Sequence, residues 1–139
     1  MSWVIGRGAL AGTAGALAMS VSTNLEMRLR ERGPSDAPAK ALERLFGIEI
    51  DTERGEQLLV LAAHFATSIT LGMVGAAIRR RTGRAAAGAA LLGASLTPEV
   101  VVVPALGAAP APTRWSAVDW LVAVVHHSVY AVTASAALR

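Results

Sequence analysis

LLVLAAHFATSITLGMVGAAI, residues 58–78, runs for twenty-one residues with His64 as its sole titratable side chain. As an α-helix it rises about 31 Å at 1.5 Å per residue, which matches the ~30 Å hydrocarbon core of a bilayer. Three further blocks share this character, from Trp3 to Leu25, from Ala85 to Leu106 and from Trp115 to Leu138. A soluble domain of 139 residues needs a charged shell around one core, yet here 53% of the residues are hydrophobic, 17% are charged, and the apolar ones come in membrane-length blocks. The reading is an all-α, integral membrane four-helix bundle forming a single transmembrane domain over residues 1–139. Its spans are predicted near 3–27, 56–79, 85–106 and 115–138. Four spans put both termini on one side.

The connections refine this picture. RRRTGR, residues 79–84, places four arginines in a short loop between the second and third spans. Such loops face the cytoplasm, so both termini are expected there too. Arg28, Arg30 and Arg32 follow the first span closely and pull the other way, interleaved with Glu26 and Glu31. The first block contains ALA before Met19, a small-residue cleavage pattern, but only Arg7 precedes it and glycines dilute the run. A retained helix is therefore expected. In the first loop, SDAPAKALERLFG predicts a short helix at 37–46, with Asp36 as cap, Pro38 in the first turn and Gly47 as stop. Leu42, Leu45 and Phe46 share a face opposite Lys40, Glu43 and Arg44, which suits either a membrane surface or the end of the bundle. Asp51 or Thr52 is expected to cap the second span.

Arginine and lysine fall between the apolar blocks and form no stripe interleaved with aromatics, so nucleic acid is not an expected partner. The absence of cysteine excludes disulfides, thiolate metal sites and cysteine nucleophiles. No G-x-S-x-G, H-E-x-x-H or phosphate-binding glycine loop occurs, so the reading leans away from an enzyme.

Hydrophobic burial does not drive helices together in lipid, whereas close approach through small residues does. Gly8, Gly12 and Gly15 on the first span, Gly72 and Gly75 on the second, and Gly93 on the third are the candidate packing positions. LVLAAHF (59–65) aligns with LVAVVHH (121–127), and ALAG (9–12) with AAAG (85–88). These offsets predict two tandem helical hairpins related by an axis along the membrane normal.

Polar side chains within the spans gather at one end. At 1.5 Å per residue, His64 lies ~12 Å in, His126 ~15 Å in and Glu99 ~8 Å in, with Asn24 at comparable or shallower depth. Ionisable groups at such depth turn toward one another or toward water. His126 shares a stripe with Asp119 and Tyr130, so it is predicted to point to the bundle axis, with Asp119 as its orienting partner or gateway. His127, 100° away, is expected to face a neighbouring helix. Pro98 is expected to loosen the turn that carries Glu99. The candidate polar layer is thus His64, Glu99, His126, His127, Asn24, Asp119 and Tyr130.

AAHFATSITLGMVGA, RRRTGRAAAGAALLG, LTPEVVVVPALGAAP and WSAVDWLVAVVHHSVY occur in this order over residues 58–130. The series resembles the YagU-like family of uncharacterised bacterial inner-membrane proteins. That resemblance implies a multi-pass protein of the inner membrane and no particular chemistry. The family's usual glycine beside the last histidine is missing, since Val125 precedes His126 and Ser128 follows His127.

Three roles fit such a layer. It fixes helix register in a small structural or accessory subunit that packs against other membrane proteins or itself. Alternatively it carries protons or cations. In the third, His64 and His126 ligate a haem b between them, or with Glu99 hold a divalent metal. The first is the leading expectation.

Overall fold

A computed structural model describes residues 2–139. Helix α1 spans Ser2–Leu29, α2 Ala37–Phe46, α3 Glu53–Arg79 and α4 Arg84–Thr97; a π-helical segment, Pro98–Val102, continues α4 into the short α5, Val103–Ala105. A 3-10 turn, Pro112–Arg114, then leads to α6, Ala117–Ala137. Four stretches are long and apolar enough to cross a membrane: Trp3–Leu29, Glu53–Arg79, Arg84–Ala105 and Ala117–Ala137. They form a four-helix square in which α1 packs on α3 and α6, and α4 packs on α3 and α6.

Local chemistry sets the ends of these helices. The chain after α1 closes with Arg32 N–H bonded to Met27 O at 3.0 Å and Glu31 in the left-handed region, φ 50°. This is a Schellman-type stop in a residue with no steric licence for it. Asp36 does not cap α2 as expected; its carboxylate pairs one turn on with Lys40. The i, i+4 ion pair outcompetes the cap because Asp36 itself has helical backbone angles, whereas a cap needs extended ones. Gly47 ends α2 at φ 63° as anticipated. Thr52, with extended backbone, caps α3 by accepting from Gly55 N at 3.2 Å.

The seam between α1 and α3 is made by glycine. A Cβ placed on Gly12 would lie 2.7 Å from Ile69 Cα, and one on Gly72 would lie 2.6 Å from Gly12 Cα. Gly8 likewise abuts the Met73 backbone. Main chain therefore meets main chain, the closest approach two helices make. Gly15 receives the ring of Tyr130, and Gly75 receives Leu91. Gly93 departs from expectation: nothing lies within 4 Å of the Cβ it lacks, because that side of α4 faces outward.

Tyr130 occupies the centre at 1% exposure, its hydroxyl donating to Ser68 O at 2.7 Å across the diagonal from α6 to α3. Trp115 and Trp120 pack with ring centroids 5.0 Å apart and planes tilted by 52° at one end, and Trp3 sits under Arg7 at the other. Aromatic side chains thus mark both levels where interfacial belts belong. The two ends differ sharply in charge. Arg7, Arg79, Arg80, Arg81, Arg84 and Arg139 gather at one end with no acidic side chain, and all ten aspartates and glutamates lie toward the other. One is the basic end of the bundle and the other its acidic end.

Candidate functional site

The candidate site lies in the acidic-end half and is built on α6. His126 and His127 are adjacent, so their side chains leave α6 about 100° apart. Both are nevertheless 7% exposed, because two different helices cover them. Toward α1, Ser22 Oγ and His126 Nδ1 are 2.8 Å apart. One turn further along α1, Glu26 Oε2 lies 3.9 Å from His126 Nε2. Toward the α4 side, His127 Nε2 lies 2.8 Å from Glu99 Oε2. With the carboxylate accepting, His127 donates from Nε2. His127 Nδ1 and His126 Nε2 are both buried without a hydrogen-bond partner among the described residues.

Glu26 connects this layer to the surface. Its carboxylate holds Arg30 at 2.9 Å and Arg32 through both the Nε and Nη2 groups. The guanidinium of Arg32 is pushed up further from its already high value by that carboxylate. Two polar groups thus flank α6: Arg32, Glu26, Ser22 and His126 on the α1 side, and His127 with Glu99 on the α4 side.

Glu99 owes its position to the π-helical turn. Pro98 and Pro104 lack the N–H groups that the α-helical ladder would use, so the ladder shifts register, with Val103 N bonding to Pro98 O. Glu99 emerges at the bundle perimeter, its side chain 46% exposed while that of its partner His127 is 9% exposed.

Several sequence expectations change here. His127, and not His126, pairs with Glu99, since α4 lies on the His127 side of α6. Asp119 is no partner of His126. It forms a capping box with Ser116, accepting from Ser116 N at 2.9 Å and from Ser116 Oγ at 2.7 Å, and faces outward. The S-A-V-D spacing at 116–119 carries that signal. Asn24 bonds to Ser20 O of its own helix at 2.8 Å and is exposed.

His64 stands apart from the pair. Its Nε2 donates to Ala16 O at 3.2 Å and lies 3.4 Å from Ser20 Oγ, on the face of α1 that packs against α3. His126 meets α1 on the Ser22 and Glu26 face instead. A haem between His64 and His126 needs both imidazoles aimed into one gap, and here each is aimed at a different face of the same helix. His64, His126 and Glu99 are not brought together as metal ligands either, and no group of three His, Cys, Asp or Glu able to hold a metal occurs among the described residues. Tyr130, in contrast, sits one turn below His126 as the stripe predicted and closes the layer from beneath.

Sequence reasoning missed Ser22 and Glu26. They stand four residues apart, one helical turn; Glu26 falls within the predicted first span, near 3–27, but beside Arg28, Arg30 and Arg32 it reads as flanking charge. No family model matches the chain, and no curated protein or solved structure matches it.

Proposed function

We propose that this protein is a small accessory subunit of a bacterial inner membrane, with its basic end in the cytoplasm, that packs against another membrane protein through the segment carrying Glu99. The observation that carries this reading is the half-exposed carboxylate of Glu99, hydrogen-bonded to a buried imidazole. It lies about 9 Å inside the end of its span, six residues before Ala105. An ionisable group held at that depth on a bundle perimeter costs several kcal/mol unless something polar covers it. A partner helix with a donor would supply that cover.

The arrangement below the histidines favours this reading over transport. From Ala131 to Ala137 α6 carries no titratable side chain for seven residues, about 10 Å, and Gly8, Gly12 and Gly72 close α1 on α3 at that level. Beyond Tyr130, α6 therefore offers no titratable side chain to protons that reach His127 from the acidic end. Purified protein in liposomes is accordingly expected to pass no protons beyond the lipid background.

A photo-crosslinking residue at Val102, one turn from Glu99 and 39% exposed, tests the proposal in native membranes. The expected result is one discrete protein adduct, whereas the same residue at Leu10, 73% exposed on α1, labels lipid alone. Indistinguishable adducts from the two positions would refute it.

A further inference from the structure

The basic-end half, away from the Glu99 segment, contains an open groove of about 550 Å³ between α4 and α6. Ala85, Ala89 and Leu92 form one wall and Ser128 and Val132 part of the other, while Arg84 stands at its mouth. From Arg84 to Leu92 is eight residues, about 12 Å along α4, most of one leaflet of a ~30 Å hydrocarbon core. The groove therefore starts at the arginine-rich surface and ends inside the hydrocarbon.

We infer that this groove binds one anionic phospholipid, with an acyl chain along the Ala85, Ala89 and Val132 walls and its phosphate at Arg84. Three features of the mouth favour a phosphate. Arg84 supplies a forked donor that matches phosphate oxygens, and the neighbouring 79–81 arginines add charge where no acidic side chain competes. The N-terminus of α4 opens at the same place. Its N-cap is Gly83, whose carbonyl accepts from Ala87 N at 3.1 Å but which has no side chain to accept from the N–H groups of residues 84–86. Free N–H groups and the positive end of a helix dipole are an anion site in their own right. The walls explain the selection of a lipid over a soluble phosphate, since small side chains leave a slot that is apolar below its charged rim. Basic pockets between membrane helices on the positively charged side take anionic headgroups for this reason.

Native mass spectrometry of the full chain in detergent, with phosphatidylglycerol and phosphatidylcholine of identical chains added in equal amounts, tests the inference. One retained phosphatidylglycerol per protomer is expected, well above phosphatidylcholine. Arg84→Gln should weaken its retention about fivefold, the effect of losing one basic residue near an anionic headgroup. Ala89→Phe, at an exposed groove position, should abolish it by filling the slot, and Val132→Phe should do the same from the opposite wall. Arg114→Gln, at the acidic end, should leave it unchanged. Circular dichroism in the same detergent identifies any variant that has lost its helices, and the other wall then supplies the answer. Equal retention of the two lipids, wild-type retention in Arg84→Gln and both phenylalanine variants, or a lipid-free dimer that the phenylalanine variants disrupt would each overturn the inference.

Discussion

Replacing Gly12 with alanine puts one methyl group into the tightest seam of the molecule. The added Cβ would stand 2.7 Å from Ile69 Cα and nearer still to Ser68 O. Carbon atoms in favourable contact sit about 3.5–4.0 Å apart, so the shortfall is about 1 Å. Both obstacles are backbone, so no rotamer change relieves them and α1 must move away from α3. A gap of that size forfeits a quarter to a half of each pair's dispersion energy of ~0.1–0.2 kcal/mol, and over a few tens of pairs the loss is about 2 kcal/mol. Overpacking in cores costs about 1–3 kcal/mol by the same logic. Gly93→Ala is the matched control. Nothing lies within 4 Å of that position, and removing a glycine from a helix interior is worth about 0.5–1 kcal/mol. Unfolding by added dodecyl sulfate in mixed micelles, followed by circular dichroism, should therefore shift in opposite directions for the two variants. Equal shifts would refute the claim that backbone contact holds α1 to α3.

Tyr130→Phe removes the diagonal bond to Ser68 O, and hydrogen bonds between membrane helices are worth about 0.6 kcal/mol on average and up to about 1.7. The same titration should show a loss within that range, and no loss would mean the bond is incidental. A double-mutant cycle on His127→Ala and Glu99→Ala should return a coupling energy of the same order, whereas zero coupling would separate the pair. The helix α2 should respond to acid. Lys40, through a hydrogen bond and its charge, holds the Asp36 carboxyl below its ordinary value of 3.8. A depressed folded-state value means the pair supports α2 above pH ~4 and is lost as pH falls through the depressed value. Amide protection in α2, relative to the unstructured rate at each pH, should fall over that window in wild type and not in Asp36→Asn.

Much of the architecture was legible because a membrane imposes lengths and end signals that one chain segment carries by itself. The four spans, the stop at Gly47 and the Thr52 cap all depend on nearby residues alone. The glycine seam was legible in part: Gly8, Gly12 and Gly72 declare themselves as small, but which face of each helix meets a neighbour depends on its rotation about its axis. Gly93 shows the limit, small and yet turned outward. The site was harder for the same reason. His126 and His127 are neighbours in sequence, and their partners come from α1 and the π-helical segment, set by the order of helices around the square. A register shift between two prolines moves Glu99 by a fraction of a turn, and periodicity assumes the α-helical ladder throughout.

Packing and ionisation are segregated along the bundle axis, and each arrangement constrains the other. A seam of glycine and alanine leaves no volume for an imidazole or its partner, so titratable groups are excluded from the basic-end half wherever helices touch. Where the polar layer sits, the contacts change from backbone against backbone to side chain against side chain: Ser22 with His126, Glu99 with His127, and Ala16 and Ser20 with His64. The bundle must be wider there to hold those groups. The loss of helix–helix contact is compensated by hydrogen bonds worth about 1 kcal/mol each. That half also presents the Glu99 carboxylate. Substitutions in the seam should change stability and leave cross-linking at Val102 intact. Substitutions in the His127–Glu99 pair should abolish cross-linking at Val102 while costing no more stability than the ~0.6–1.7 kcal/mol of one interhelical hydrogen bond, and this contrast separates structural from docking roles within one small fold.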